Sequence, residues 1–158
     1  MKIIQVIPQL GPGGAERFVT DLSNEISILG NTVYLCVLHS LESNGFYKHE
    51  VSNNVHVISF NKKKGMDFLL FFRMFFFVRR IQPDIVHTHL NSIMYLILSI
   101  FFFRKIKFFH TVHNVAEIET EGKLGAFVRK ILFKFDLVNP VTISQKSKNL
   151  LLIIIKEM

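Results

Sequence analysis

Short apolar runs alternate with helix-length amphipathic segments along the chain, and this alternation constrains the fold more than any other feature. Ile3–Ile7, Thr32–Leu38, Val55–Phe60, Ile85–His87, Lys107–Val112 and Leu137–Ile143 read as strands. Between them, Ala15–Leu29, Met66–Arg80, Ser92–Phe103 and Leu124–Phe135 read as helices. In the first helix, Phe18, Leu22, Ile26 and Leu29 share a face, with Val19 beside them, and Gly30 falls at the C′ position. Met66–Arg80 stops ahead of Pro83. Residues 39–54 are polar and irregular, and Ser144 reads as the N-cap of a last helix.

Strands that alternate with helices need crossover connections, and crossovers build a parallel sheet covered on both faces. The strands are nearly continuous apolar runs, as burial on both faces demands. The expected fold is α/β, a Rossmann-like doubly wound parallel sheet in three layers, α/β/α, with strand order 3-2-1-4-5-6. Neither an internal repeat nor a low-complexity linker divides the chain, so residues 1–158 are expected to form a single domain.

The bulk numbers agree. With 158 residues the chain can enclose a real core, and 49% hydrophobic against 20% charged residues excludes a disordered chain. Lys and Arg number 19 against 12 Asp and Glu, a formal charge of +7. That excess suits an anionic partner or, equally, a scatter of solvated lysines. The single cysteine, Cys36, lies inside an apolar strand and reads as a buried, inert thiol suited to a reducing compartment. The N-terminus enters a strand pattern directly, without the pattern of a secretory signal.

Phenylalanine occurs 17 times and clusters in FLLFFRMFFFV and FFFRKIKFF. No apolar run is long enough to span a bilayer. The clusters read either as core elements or, flanked by Arg79, Arg80, Arg104, Lys105 and Lys107, as a peripheral contact with an anionic membrane.

The chemistry gathers where such folds bind ligands, at the carboxyl ends of the strands beside the switch point. The turn Gly11-Pro12-Gly13-Gly14 follows strand 1 and opens the first helix. Backbone N–H groups and the positive end of the helix dipole favour an anion there, and bare glycines let a ligand approach. Glu16 either favours the dipole or binds a hydroxyl. His87-Thr88-His89 ends strand 4, His113-Asn114 ends strand 5, Ser144 follows strand 6 and His39 follows strand 2. Residues 87 and 89 project to one face while strand geometry persists. One reading makes His87 the buried partner and leaves His89 nearer the ligand. Each strand-end histidine has a plain structural alternative, a ring satisfied by a backbone carbonyl.

Other chemistries fit poorly. The dinucleotide fingerprint fails because Glu16 replaces its third glycine, and Leu38 and His39 stand where a ribose-binding acid belongs. The sequence has no G-K-[ST] and no G-x-S-x-G. A metal held by His87, His89 and His113 is disfavoured because Cys36 lies on another strand. A basic charge without a recognisable nucleic-acid motif gives no support for DNA or RNA binding.

Taken together, PQLGPGGAER after strand 1, PDIVHTH at strand 4, TVHN at strand 5 and VTIS at strand 6 resemble the N-terminal half of a family 4 glycosyltransferase of the GT-B fold. The likeness runs over nearly the whole chain, in order and spacing. It implies a hexosyltransferase of cell-surface polysaccharide or glycolipid synthesis. Such an enzyme moves sugar, with retention, from a nucleotide diphosphate sugar to a polysaccharide or lipid-linked acceptor, without a cofactor or metal. By that resemblance His113 is the catalytic residue near the transferred sugar. Gly13 and Gly14 approach the donor's diphosphate or the acceptor, and Glu16 belongs to the same substrate-binding turn. His89 and Asn114 line the acceptor cleft, and Ser144 lies near the interdomain edge. The family's E-x7-E motif and its diphosphate-holding basic residues belong to a second domain and are not in this sequence. The chain is therefore expected to be a truncated, cytoplasmic half-enzyme, inactive alone. The alternative is a non-catalytic binding module paired with a separate donor-binding chain.

Overall fold

A computed structural model describes residues 1–113 and 122–143. Six parallel strands form one sheet: β1 (Lys2–Ile7), β2 (Thr32–Val37), β3 (Val55–Ser59), β4 (Ile85–His89), β5 (Lys107–Val112) and β6 (Asn139–Thr142). Their order is β3-β2-β1-β4-β5-β6, as the alternation predicts. The helices are α1 (Gly14–Ile28), α2 (Leu41–Asn44), α3 (Phe68–Ile81), α4 (Ile97–Phe102) and α5 (Gly122–Lys134).

Period-two alternation sends neighbouring side chains to opposite faces, so the sheet carries two cores. Ile4, Val6, Cys36, Leu38, Val86 and Phe108 pack against Leu70, Met74 and Val78 of α3 and Leu132 of α5. Ile7, Val33, Leu35, Val37 and Val55 pack on the other side against Val19 of α1. Cys36 is fully buried, and desolvation pushes its thiol well above the ordinary range.

Gly30, at φ +80°, ends α1, with Gly30 N–H bonded to Ser27 O and Asn31 N–H to Ile26 O. This is the pairing of a Schellman cap. The predicted face is only partly right. Leu29 is 77% exposed, while Glu16, Val19, Thr20 and Ser23 are the buried residues of α1.

Four further expectations are corrected. Residues 39–54 hold α2 and a 3-10 helix, Phe46–Glu50. Strand β4 runs on to His89 rather than stopping at His87. The helix predicted over Ser92–Phe103 starts as a 3-10 segment, Leu90–Leu96, before becoming α4. Leu90 there adopts φ 54°, a left-handed conformation unfavourable for a leucine. The hydroxyl of Ser92 anchors this turn: it accepts from His89 N–H at 3.2 Å and lies within bonding distance of His89 O and Val6 O. Finally, β6 is shorter than the predicted Leu137–Ile143.

Candidate functional site

The switch point lies between β1 and β4, where the crossovers leave in opposite directions. Gly13 N–H turns back to Gly11 O at 2.9 Å, and α1 begins at Gly14. Gly13 has an extended backbone, φ −122°, so its own conformation does not call for glycine. A Cβ at Gly13 would collide with the Glu16 carboxylate, whereas one at Gly14 would meet open space. Glu16 is 7% exposed, and its carboxylate leans over the start of its own helix. It therefore complements the dipole and repels a second anion at that spot. A neutral, hydroxyl-bearing ligand suits this turn better than a bare phosphate.

Across the switch point, the histidines form one group on one face of the sheet. The His87 and His89 ring centroids lie 4.2 Å apart, and those of His89 and His113 5.4 Å. His89 Nδ1 is 3.2 Å from His113 Nε2, and His89 Nε2 is 2.8 Å from Gln5 Oε1. His87 Nε2 is 2.7 Å from Thr111 Oγ1. Phe18 of α1 closes the group edge-on, with centroids 6.2 Å from His89 and 5.5 Å from His113. The glycine-turn helix and the strand-end histidines thus meet through Phe18.

The burial expected of the two β4 histidines is reversed. His89 is completely buried, and His87 only partly. The cause is the length of β4: His89 still lies within the sheet, beneath Phe18 and beside the turn that Ser92 anchors. His113 is 8% exposed, just past the end of β5. Asn114 and Ser144 lie outside the described residues.

Burial sets the electrostatics. Desolvation lowers His113 to about 4. Desolvation, with a smaller contribution from His113, lowers His87 to about 4. His89 falls well below its ordinary range, through desolvation first and then its histidine neighbours. The rings are neutral at neutral pH, so each carries one donor and one acceptor nitrogen, and His89 engages both of its own with His113 and Gln5.

Two hollows flank the loop after β1. One, about 200 Å³, is lined by Pro8, His39, Lys62 and Tyr95, and the other, about 380 Å³, by Gln9, Gly11, Pro12 and Phe46. Among the described residues, no group of three or more His, Cys, Asp or Glu side chains is placed to hold a metal ion.

Gln5, Phe18 and Ser92 escape a reading of the sequence for site residues. Gln5 alone carried a signal, a lone amide inside the apolar run of strand 1.

None of the curated proteins matches this chain. Among solved structures, a glycosyltransferase from Rickettsia africae ESF-5 is similar, with a TM-score of 0.54 and 19% identity. The match covers 89% of this chain and 42% of that one, so this chain spans less than half of that protein's length. The likeness is one of fold. The sequence model of Glycosyltransferase Family 4 matches residues 12–152, from the glycine turn past β6. The chain belongs to Glycosyltransferase Family 4.

Proposed function

We propose that this chain is the acceptor-side half of a retaining GT-B hexosyltransferase. It would move sugar from a nucleotide diphosphate sugar to a polysaccharide or lipid-linked acceptor. The observation that carries this reading is that Phe18, on the helix opened by the Gly13–Gly14 turn, packs against the neutral His89–His113 pair. His113 is assigned the contact with the transferred sugar, and His89 positions His113 from within the sheet. Gly13, Gly14 and Glu16 are assigned to a hydroxyl-rich portion of substrate, and Asn114 and Ser144 keep the substrate-binding roles that the family resemblance implies.

Departure of the diphosphate requires preorganised positive groups. In this reading they come from a donor-binding half, in the same protein or in a separate chain, and residues 1–158 do not turn over alone. The buried free thiol of Cys36 supports a cytoplasmic setting. A lipid-linked acceptor would bring the enzyme to an anionic membrane surface. No described helix is long and apolar enough to cross a membrane.

The test is a radiolabelled transfer assay on the chain joined to a donor-binding domain. His113→Ala is expected to lower kcat by about 100-fold while the circular-dichroism spectrum is retained. Unchanged kcat would remove His113 from the reaction. Robust turnover by the 158-residue chain alone would refute its inactivity.

A further inference from the structure

On the face of the sheet opposite Phe18 and the candidate histidines, α3 and α4 leave aromatic rings uncovered. Helix α3 buries one stripe, Leu70, Met74 and Val78, spaced four residues apart. Phe72 and Phe76 remain 54% and 58% exposed on its outer side. Phe102, at the end of α4, is 71% exposed. It is not isolated from α3: its ring centroid is 5.5 Å from Phe75, which lies 5.5 Å from Phe76. The two helices therefore present one aromatic surface.

That surface is edged with positive charge. Arg79 and Arg80 occupy the last turn of α3, Arg104 and Lys105 follow α4, and all four are exposed. Arg79, Phe102, Arg104 and Lys105 line a single open cavity of about 890 Å³. The acid lining it, Asp84, accepts the Lys2 N–H at 2.7 Å.

We propose that this face docks on an anionic lipid bilayer, its phenylalanines entering the headgroup boundary and its arginines and lysine meeting lipid phosphates. Phenyl rings without polar tips suit the acyl boundary, and long basic side chains reach the phosphates while their stems stay with apolar atoms. A second copy of the chain is the weaker occupant, because apposing this face to itself would bring like charges together. The cavity is lined by Ile85 and Lys107, which begin β4 and β5, whereas the candidate site lies at the carboxyl ends of the strands. The exposed face of α3 likewise lies on the opposite side of the sheet from Phe18 and the histidines, so docking leaves them uncovered. The inference deepens the membrane setting proposed above, and its test involves no sugar transfer, so either reading can fail without the other.

The experiment is co-sedimentation of the 158-residue chain with vesicles of phosphatidylcholine alone and of an equimolar mixture with phosphatidylglycerol. Partitioning into the mixture should be at least about tenfold stronger and should weaken with salt. The variant R79Q/R80Q/R104Q/K105Q should lose the preference for anionic vesicles. F72S/F76S/F102S should bind the mixture more weakly, with an unchanged circular-dichroism spectrum. If the quadruple variant does not fold, R79Q/R80Q and R104Q/K105Q should each lower the preference on their own. Equal binding to both vesicles, or a preference that survives loss of the charges, would overturn the proposal. So would a dimer that F76S dissociates, seen by sedimentation velocity in a chain that ignores vesicles.

Discussion

At the residue scale, the candidate site is a set of uncharged rings joined by ring contacts and hydrogen bonds. Desolvation lowers His113 to about 4 and also takes His89, which has Gln5 on its far nitrogen, well below its ordinary range. The two glycines separate backbone need from ligand access. Neither has a positive φ, and the atom crowding a Cβ at Gly13 is the far end of the Glu16 side chain. Gly13→Ala and Gly14→Ala are therefore expected to change unfolding free energy by less than about 1 kcal/mol in urea titrations. If the proposed substrate role of this turn holds, Gly13→Ala should instead raise KM in the transfer assay by displacing the Glu16 carboxylate. A loss of several kcal/mol for either variant would mean that the turn needs glycine for folding. The histidines were legible in the sequence because they punctuate strand ends. Which of them is interior was not, because that depends on β4 continuing to His89 under Phe18.

At the element scale, α3 shows most clearly where pattern stops short of structure. FLLFFRMFFFVRRI is apolar nearly all round, so its composition suits a fully buried helix as well as a surface one. The sheet resolves this by burying the Leu70–Met74–Val78 stripe, with Phe71, Phe77 and Ile81 half-buried beside it. Met74→Ala is expected to cost about 2–5 kcal/mol, measured by chemical denaturation, because it opens a cavity against the sheet. Phe76→Ser should stay within about 0.5 kcal/mol of the parent. Equal costs would mean that the outer face of α3 is packed. The end of α1 was readable from Gly30, since a left-handed cap residue is a local requirement. The 3-10 start at Leu90 was not, since it rests on the Ser92 hydroxyl bridging to Val6 and His89, far apart in sequence.

At the scale of the whole molecule, four histidines of the central strands and their ends share one response to acid. His87, His89, His110 and His113 are all lowered, chiefly by desolvation. In the unfolded chain they take up protons near pH 6.5, whereas His87 and His113 in the fold wait until about 4. Between those values the unfolded state binds more protons, so stability is full above about pH 6.5 and falls as pH drops toward about 4. Urea midpoints between about pH 7 and about pH 4.5 should decline steadily, and a flat profile would show that these rings are solvated. The strand order, the two-sided burial and the placing of the glycine turn and histidines at one end of the sheet followed from the sequence alone. They follow from alternation, crossover handedness and residue position, which are properties of the chain taken in order. Only the tertiary structure decided that His89 lies inside, that Gln5 and Phe18 complete the group and that half of the phenylalanine-rich helix faces outward. Those outcomes depend on which surfaces the packed elements leave for one another, and contacts between distant residues have no local signature.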